Sequence, residues 1–298
     1  MSTLGVLIVT RDRRERVAGL LADLMSMPRG GEDRIVVVDN GSTDGTAEAI
    51  RTGFPTVVLV PQERNLGAPA ARNAGVAACQ GEVLIFLDDD VRVEDSGFFE
   101  RVRQAFDRAP DMAVAAFRIL DPATRRPRRF EIPRGRKDLE REPCETSYFI
   151  SAGCAIRRVA YRQAGGMDES LVYGFEELDF SYRAVARGLR LFYRPDLEVL
   201  HHMAETGRPS WRRPYYFYRN KIWISARYLP WRMVGTQLFV WSGYFLKEAV
   251  SIGRPDVFFR ALFAGLRGLP ERLRLRRTDR LAPEVIRRLK TIEGRLYY

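Results

Sequence analysis

Short apolar runs and helical patterns alternate along the first ninety residues of this chain. "LGVLIVT" (4–10), "RIVVVDN" (34–40), "TVVLVPQ" (56–62) and "EVLIFLDDD" (82–90) are rich in Val, Ile and Leu without strict alternation. That pattern predicts strands buried on both faces. Between the first two runs, Val17, Leu20, Leu21, Leu24 and Met25 recur near helical spacing. "STDGTAEAIRTG" (42–53) and "GAPAARNAGVAAC" (67–79) predict two further helices. Strand–helix–strand repetition with short connections implies an α/β fold with a mainly parallel sheet flanked by helices. Sheets of this kind bind ligands at the carboxyl ends of their strands, where Asp39, Asn40 and Asp88 to Asp90 fall.

The pattern then loosens. An amphipathic helix is expected over 97–110 and a strand over 112–120, followed at 121–145 by a segment with four prolines and few apolar residues. That composition predicts a long mobile or irregular loop. Order resumes as strand then helix over 146–166, a helix over 176–188 with acidic residues in its first turn, and a strand at "LRLFYRP". From about residue 205, "YYFYRNKIWISARYLPW" and "GTQLFVWSGYFLKEAVSIG" read as amphipathic helices, and "LRGLPERLRLRR" as a basic cluster. These patterns divide the chain into an α/β part, 1–204, that carries the candidate ligand-binding strand ends, and a basic, aromatic-rich helical extension, 205–298.

Charge sharpens that division. Residues 205–298 hold 20 Lys and Arg against 7 Asp and Glu, whereas residues 1–204 hold 29 against 31, within a net charge of +11. A basic, aromatic-rich tail suits an anionic surface, lipid headgroups or nucleic acid. Lys247 and Glu248 interrupt its longest apolar run, so no stretch of ~18 apolar residues spans a bilayer. The interleaved Trp223, Trp231 and Trp241 favour contact along a membrane surface, and no nucleic acid is expected. The cysteines, Cys79, Cys144 and Cys154, are odd in number and lack metal-ligand spacing, which points to a reducing compartment. No signal-peptide pattern opens the chain.

Two acidic groups carry candidate chemistry. Asp88, Asp89 and Asp90 end an apolar run, where mutual repulsion has to be offset by water or by a cation. A divalent metal takes such carboxylates, and so does a solvated turn. "VVVDNGSTDGT" adds Asp39 at a strand end, where a nucleotide could be hydrogen-bonded; no Gly-x-Gly-x-x-Gly is present. "FEELDF" supplies Glu176 and Glu177 as candidates for proton transfer. Acidic residues in a first helical turn are also stabilised by the helix dipole alone, and Asp179 with Arg183 is an ordinary i, i+4 pair.

Taken together, "VLIVTRDRRERV", "VVVDNGSTDGT", "NLGAPAARNAG", "EVLIFLDDDV" and the run from "GCAIRR" to "LEVLHH" resemble the family 2 glycosyltransferases of the GT-A fold, over roughly residues 4 to 202. The resemblance implies a Rossmann-like sheet and inverting transfer from a nucleotide-sugar donor to a saccharide or lipid-linked acceptor. By the same resemblance Thr10 and Asp39 line the nucleotide pocket, and Asn65, Gly67 and Arg72 flank the donor. Asp88 contacts ribose or sugar, with Asp89 a further contact. Asp90 and His201 meet Mg²⁺ or Mn²⁺, His202 being the alternative to His201. Glu177 is the general base, where the family usually carries aspartate, and Glu176 binds acceptor. The tail looks like membrane-proximal tails of bacterial saccharide-assembly enzymes, which places the protein in the cytoplasm at the inner membrane face. Two rival expectations are weaker. "FLDDDV" alone resembles haloacid-dehalogenase phosphatases, but Lys137 lacks their downstream acidic pair. An inactive adaptor acting through the basic tail has to ignore the intact aspartates.

Overall fold

Strands β1 (Leu4–Thr10), β2 (Arg34–Asp39), β3 (Val58–Pro61) and β4 (Val83–Asp88) pair in parallel. Their side chains divide by position. Val6, Ile8, Ile35, Val37, Ile85 and Leu87 enter one core layer, while Leu7, Val36, Leu84 and Phe86 enter the other. Both faces of β1, β2 and β4 are covered, which is why those runs are apolar at consecutive positions. β3, expected to be buried as well, is the edge strand, with Val58 exposed and Leu59 and Val60 half-buried. Helices α1 (Arg14–Ser26) and α4 (Phe98–Arg108) close the first layer through Val17, Leu20, Leu21, Leu24, Phe98 and Phe106. Helix α2 (Thr46–Gly53) follows β2, while α3 (Ala68–Ala78), α5 (Arg158–Ala164) and α6 (Glu176–Ala186) close the second layer.

The structure is a computed structural model that describes residues 1–203 and 209–294. Among these, nine strands form one sheet in the order β3-β2-β1-β4-β8-β6-β9-β5. Its second half comprises β5 (Val91–Arg92), β6 (Met112–Leu120), β8 (Gly153–Arg157) and β9 (Arg190–His201), with β7 (Cys144–Thr146) paired to β9. The parallel pattern stops at β8, which runs antiparallel to both β4 and β6, whereas β6 and β9 are parallel. The proline-rich segment is irregular, with one 3₁₀ turn at Lys137–Leu139, yet it is anchored by the buried Glu131, Ile132 and Arg134.

Helices α7 (Arg212–Tyr228), α8 (Trp231–Ser251), α9 (Pro255–Asp279) and α10 (Pro283–Thr291) complete the chain. The expected boundary at 204/205 lies outside the described residues. One apolar cluster runs unbroken from Phe86, Cys154 and Phe180 to Tyr228, Phe245, Phe258 and Leu281. Ion pairs join the same segments: Asp168 meets Arg227 at 2.8 Å and Arg272 at 2.9 Å. The basic cluster is part of α9, which continues through Pro270 to Asp279. No helix among the described residues is long and apolar enough to cross a membrane.

Candidate active site

In register, Thr10 lies opposite Asp39 and Val9 opposite Asp88, so β1, β2 and β4 end level with one another. A cleft of about 1610 Å³ opens at this carboxyl edge. The chain leaves β4 in a turn, and the three aspartates part company there. Asp89 turns inward, 4% exposed, accepting from Thr10 Oγ1 at 2.9 Å and from the Arg13 guanidinium at 2.6 Å. Burial pushes its carboxyl up to about 6, with Arg13 opposing the shift. Arg13 also donates to Asp90 at 3.0 Å, so one guanidinium spans two of the three carboxylates.

Antiparallel pairing of β5 with β9 sets Val91 opposite His201, and the His202 amide donates to the Asp90 carbonyl at 2.8 Å. This short ladder carries His201 back to the turn, its Nε2 3.2 Å from Asp90 Oδ1. Its Nδ1 lies 2.6 Å from Glu131 Oε1. One potential ligand atom from each of Asp88, Asp90 and His201 falls within 4.8 Å of the others. Two carboxylates and an imidazole, the imidazole steered by a carboxylate on its far nitrogen, are a donor set that fits a divalent cation. Burial lowers the His201 pKa, but Asp90 and Glu131 overcome that and raise it to about 10. The cluster therefore holds a positive charge where a cation would sit. His202 is exposed and stands outside the cluster.

Arg72 connects this corner to α6. It donates to Asp88 at 2.9 Å and to Glu176 at 3.1 Å. Burial disfavours the guanidinium's charge, but Asp88, Glu176 and Glu177 more than offset that and leave its pKa raised. Glu176 is buried, and burial followed by repulsion from Glu177 pushes its carboxyl up, with Arg72 opposing. Glu177 Oε1 accepts from the Ser151 amide at 3.2 Å and its hydroxyl at 2.5 Å. Both glutamates sit in the first turn of α6, where the helix dipole favours negative charge.

The loop that delivers α6 is strained. Val172 at φ 63°, Gly174 at φ 86° and Phe175 at φ 67° occupy the left-handed region, which a β-branched residue rarely enters. Asn220 of α7 offsets that cost, its amide donating to the carbonyls of Leu171, Tyr173 and Gly174 at 2.9, 3.1 and 2.7 Å. Gly67 meets the same loop. A Cβ there would lie 2.6 Å from the Val172 carbonyl oxygen, which leaves room for glycine alone. Asn65 Oδ1 holds the turn before it, accepting from Asn40 at 3.1 Å and from the Gly67 amide at 2.9 Å.

Of the residues singled out in the sequence, Thr10, Asn65, Gly67, Arg72, Asp88, Asp89, Glu176, Glu177 and His201 line the cleft. Asp39 and Asp90 are buried and do not belong to its lining. Asp39 is occupied by Ser42, whose amide donates to it at 3.2 Å. Asp88, expected on ribose or sugar, also joins the candidate metal cluster. Arg13, Glu131, Ser151 and Asn220 were missed. Arg13 belongs to the arginine-rich turn after β1, a usable signal; the other three carry none in sequence. The opposite wall of the cleft is basic and aromatic, with Arg212, Arg213, Phe217, Trp241 and Tyr244 from α7 and α8.

Residues 5–165 match the model for Glycosyl transferase family 2. N-acetylglucosaminyl-diphospho-decaprenol L-rhamnosyltransferase of Mycobacterium tuberculosis is 30% identical over 234 residues, covering 66% of this chain and 76% of that protein. The pre-mycofactocin glycosyltransferase of the same species is 33% identical over 181 residues, covering 56% of this chain and 37% of that one. Among solved structures, S. aureus TarS 1–349 in complex with UDP-GlcNAc superposes with a TM-score of 0.63 at 18% identity, over 92% of this chain and 83% of that one. A mannosyltransferase from Pyrobaculum calidifontis in complex with GDP-Man and Mn²⁺ superposes with a TM-score of 0.61 at 16% identity, over 97% and 83%. At these identities the structural likeness is one of fold.

Proposed function

The chain belongs to glycosyl transferase family 2 and has its GT-A fold, and on that premise we propose that it performs inverting transfer from a nucleotide-diphosphate sugar to an acceptor hydroxyl. The observation that carries this reading is the meeting, at one cleft, of Asp88 and His201, which line it and cluster with the buried Asp90 behind them, with the Glu176–Glu177 pair. Asp90, His201 and Asp88 would hold Mg²⁺ or Mn²⁺. When bound, such an ion supplies Lewis-acid charge to the donor diphosphate. The solved mannosyltransferase carries Mn²⁺ with its donor, which favours the same class of ion here.

Glu177 is the general base in this reading. Ser151 fixes one of its oxygens through its amide and hydroxyl, which holds the carboxylate in place at the cleft. The acceptor oxygen forms its bond to the anomeric carbon as the bond to the diphosphate oxygen breaks. The hydroxyl proton passes to Glu177, and the bonding pair leaves with the nucleoside diphosphate. Thr10, Asn65, Gly67, Arg72 and Asp89 shape the donor side, with Asp39 beneath it, and Glu176 orders the acceptor side through Arg72. A relative that acts on a diphospho-decaprenol acceptor supports a lipid-linked saccharide as the acceptor class. The three unpaired thiols suit a reducing compartment, hence the cytoplasmic side. An inactive adaptor would have no use for this assembled cleft.

The test is turnover of UDP-, dTDP- and GDP-sugars with Mn²⁺, by nucleotide release. Asp90→Ala should abolish turnover at saturating Mn²⁺ while the chain stays folded. Undiminished turnover in that variant would remove the metal assignment, and a wild-type chain inert toward every donor would revive the adaptor.

A further inference from the structure

We propose that the outward faces of α8 and α9 seat this chain on an anionic bilayer, so that an acceptor held in the lipid enters the cleft along the surface. The consequence for the acceptor rests on the glycosyltransfer reading; the docking does not. Fifteen large hydrophobic side chains are exposed among the described residues, and ten of them lie on these two helices. On α9, Phe259, Phe263, Leu266 and Leu273 are 61%, 69%, 52% and 38% exposed. Their spacing of four, three and seven puts them on one stripe. The helix turns Val257, Phe258, Ala261 and Gly265 inward instead. On α8, Phe239, Val240 and Val250 are 84%, 58% and 57% exposed, while Met233, Val234, Phe245 and Ala249 are buried. The core of the fold is therefore complete without either stripe.

Charge indicates what covers them. Arg260, Arg267 and Arg274 are exposed and seven residues apart, which sets them in a row along one flank of the α9 stripe. Across both helices and the turn between them, the exposed cations Arg232, Lys247, Arg254, Arg260, Arg267, Arg274 and Arg277 outnumber the exposed acids Asp256 and Glu271. A protein partner of ordinary composition would need matching acids. An anionic bilayer supplies negative charge and apolar depth at once. Neither helix is apolar enough to cross it, so both would lie in the interface. The surface is also continuous with the site: Trp241 and Tyr244 of α8 line the cleft beside Arg212 and Arg213. An acceptor anchored by an apolar chain would meet that basic, aromatic wall first.

The experiment is co-sedimentation of the full chain with phosphatidylcholine vesicles, with and without phosphatidylglycerol. Binding should require phosphatidylglycerol and weaken as salt rises. Phe259→Asp with Phe263→Asp should lower partitioning at least ~10-fold, and Arg260→Gln, Arg267→Gln and Arg274→Gln together on the order of 100-fold. Both variants should keep the wild-type melting temperature and nucleotide-sugar turnover, since neither touches the cleft. Absence of vesicle binding by the wild type would overturn the proposal, as would undiminished binding by both variants. A wild-type dimer in light scattering that Phe259→Asp with Phe263→Asp splits would also overturn it, by making the face a contact between two copies. Vesicle binding by a chain inert toward every nucleotide sugar would retain the docking and refute the glycosyltransfer reading alone.

Discussion

Glu131 and Ser151 hold the two side chains on which the proposed chemistry turns, and neither stands in a recognisable motif. Glu131 steers the His201 ring by its Nδ1, leaving Nε2 toward Asp90. Replacing Glu131 with Ala should weaken apparent Mn²⁺ affinity ~10- to 100-fold, with turnover largely restored at high Mn²⁺. A metal titration of activity checks this, and an unchanged midpoint would refute it. Glu177→Gln removes the proton acceptor but keeps the size and the Ser151 contact. It should lower kcat ~10²- to 10⁴-fold with little change in donor KM. The aspartates and both glutamates were legible because each type brings its chemistry with it at a strand or helix end. What was not legible is direction. Three adjacent aspartates look alike in a string, and only the turn after β4 sends Asp89 to Thr10 and Arg13 while Asp90 meets His201.

At the scale of elements, periodicity gave β6 its observed limits and came within a few residues for α1, α3 and α6. It stopped short on β9 at Pro195, although polar and apolar positions keep alternating through Asp196, Leu197, Glu198 and Val199 and pairing continues to His201. Pro270 and the arginines around it concealed the length of α9, since proline ordinarily signals a helix end. Helix α7 carries an unexpected load in Lys221, which is 1% exposed between the rings of Phe175 and Trp241, 5.5 and 4.9 Å from its ammonium. No ion-pair partner for it occurs among the described residues, and burial lowers its pKa to about 7. Between that value and the ordinary lysine range the unfolded chain binds a proton the folded one does not. Stability should therefore rise with pH across this window, and the full penalty applies below about pH 7. Lys221→Met should stabilise the fold by on the order of 2–4 kcal/mol near neutrality, with a smaller gain at alkaline pH. Urea melts at the two pH values decide the point, and equal gains would show that the lysine is not the source.

For the whole molecule, the composition shift near residue 205 marks a change of surface more than a break in the core. The cluster that begins under β4 ends in α10, and Asp168 and Asp179 are paired by Arg227 and Arg272 or by Arg227 and Tyr228. A chain ended at residue 203 should lose its cooperative melting transition, because buried carboxylates and apolar side chains would be left uncovered. A sharp transition of that fragment in circular dichroism would show that the segments fold independently. Asn220 bears on how such enzymes could be recombined. It belongs by sequence to the helical extension, yet its amide closes the loop that leads into Glu176 and Glu177. A chimaera that exchanges the extension would exchange the clasp on the loop before α6 as well. The graft point that preserves chemistry lies after Asn220, inside α7, and any donor segment joined before it has to bring an asparagine of its own.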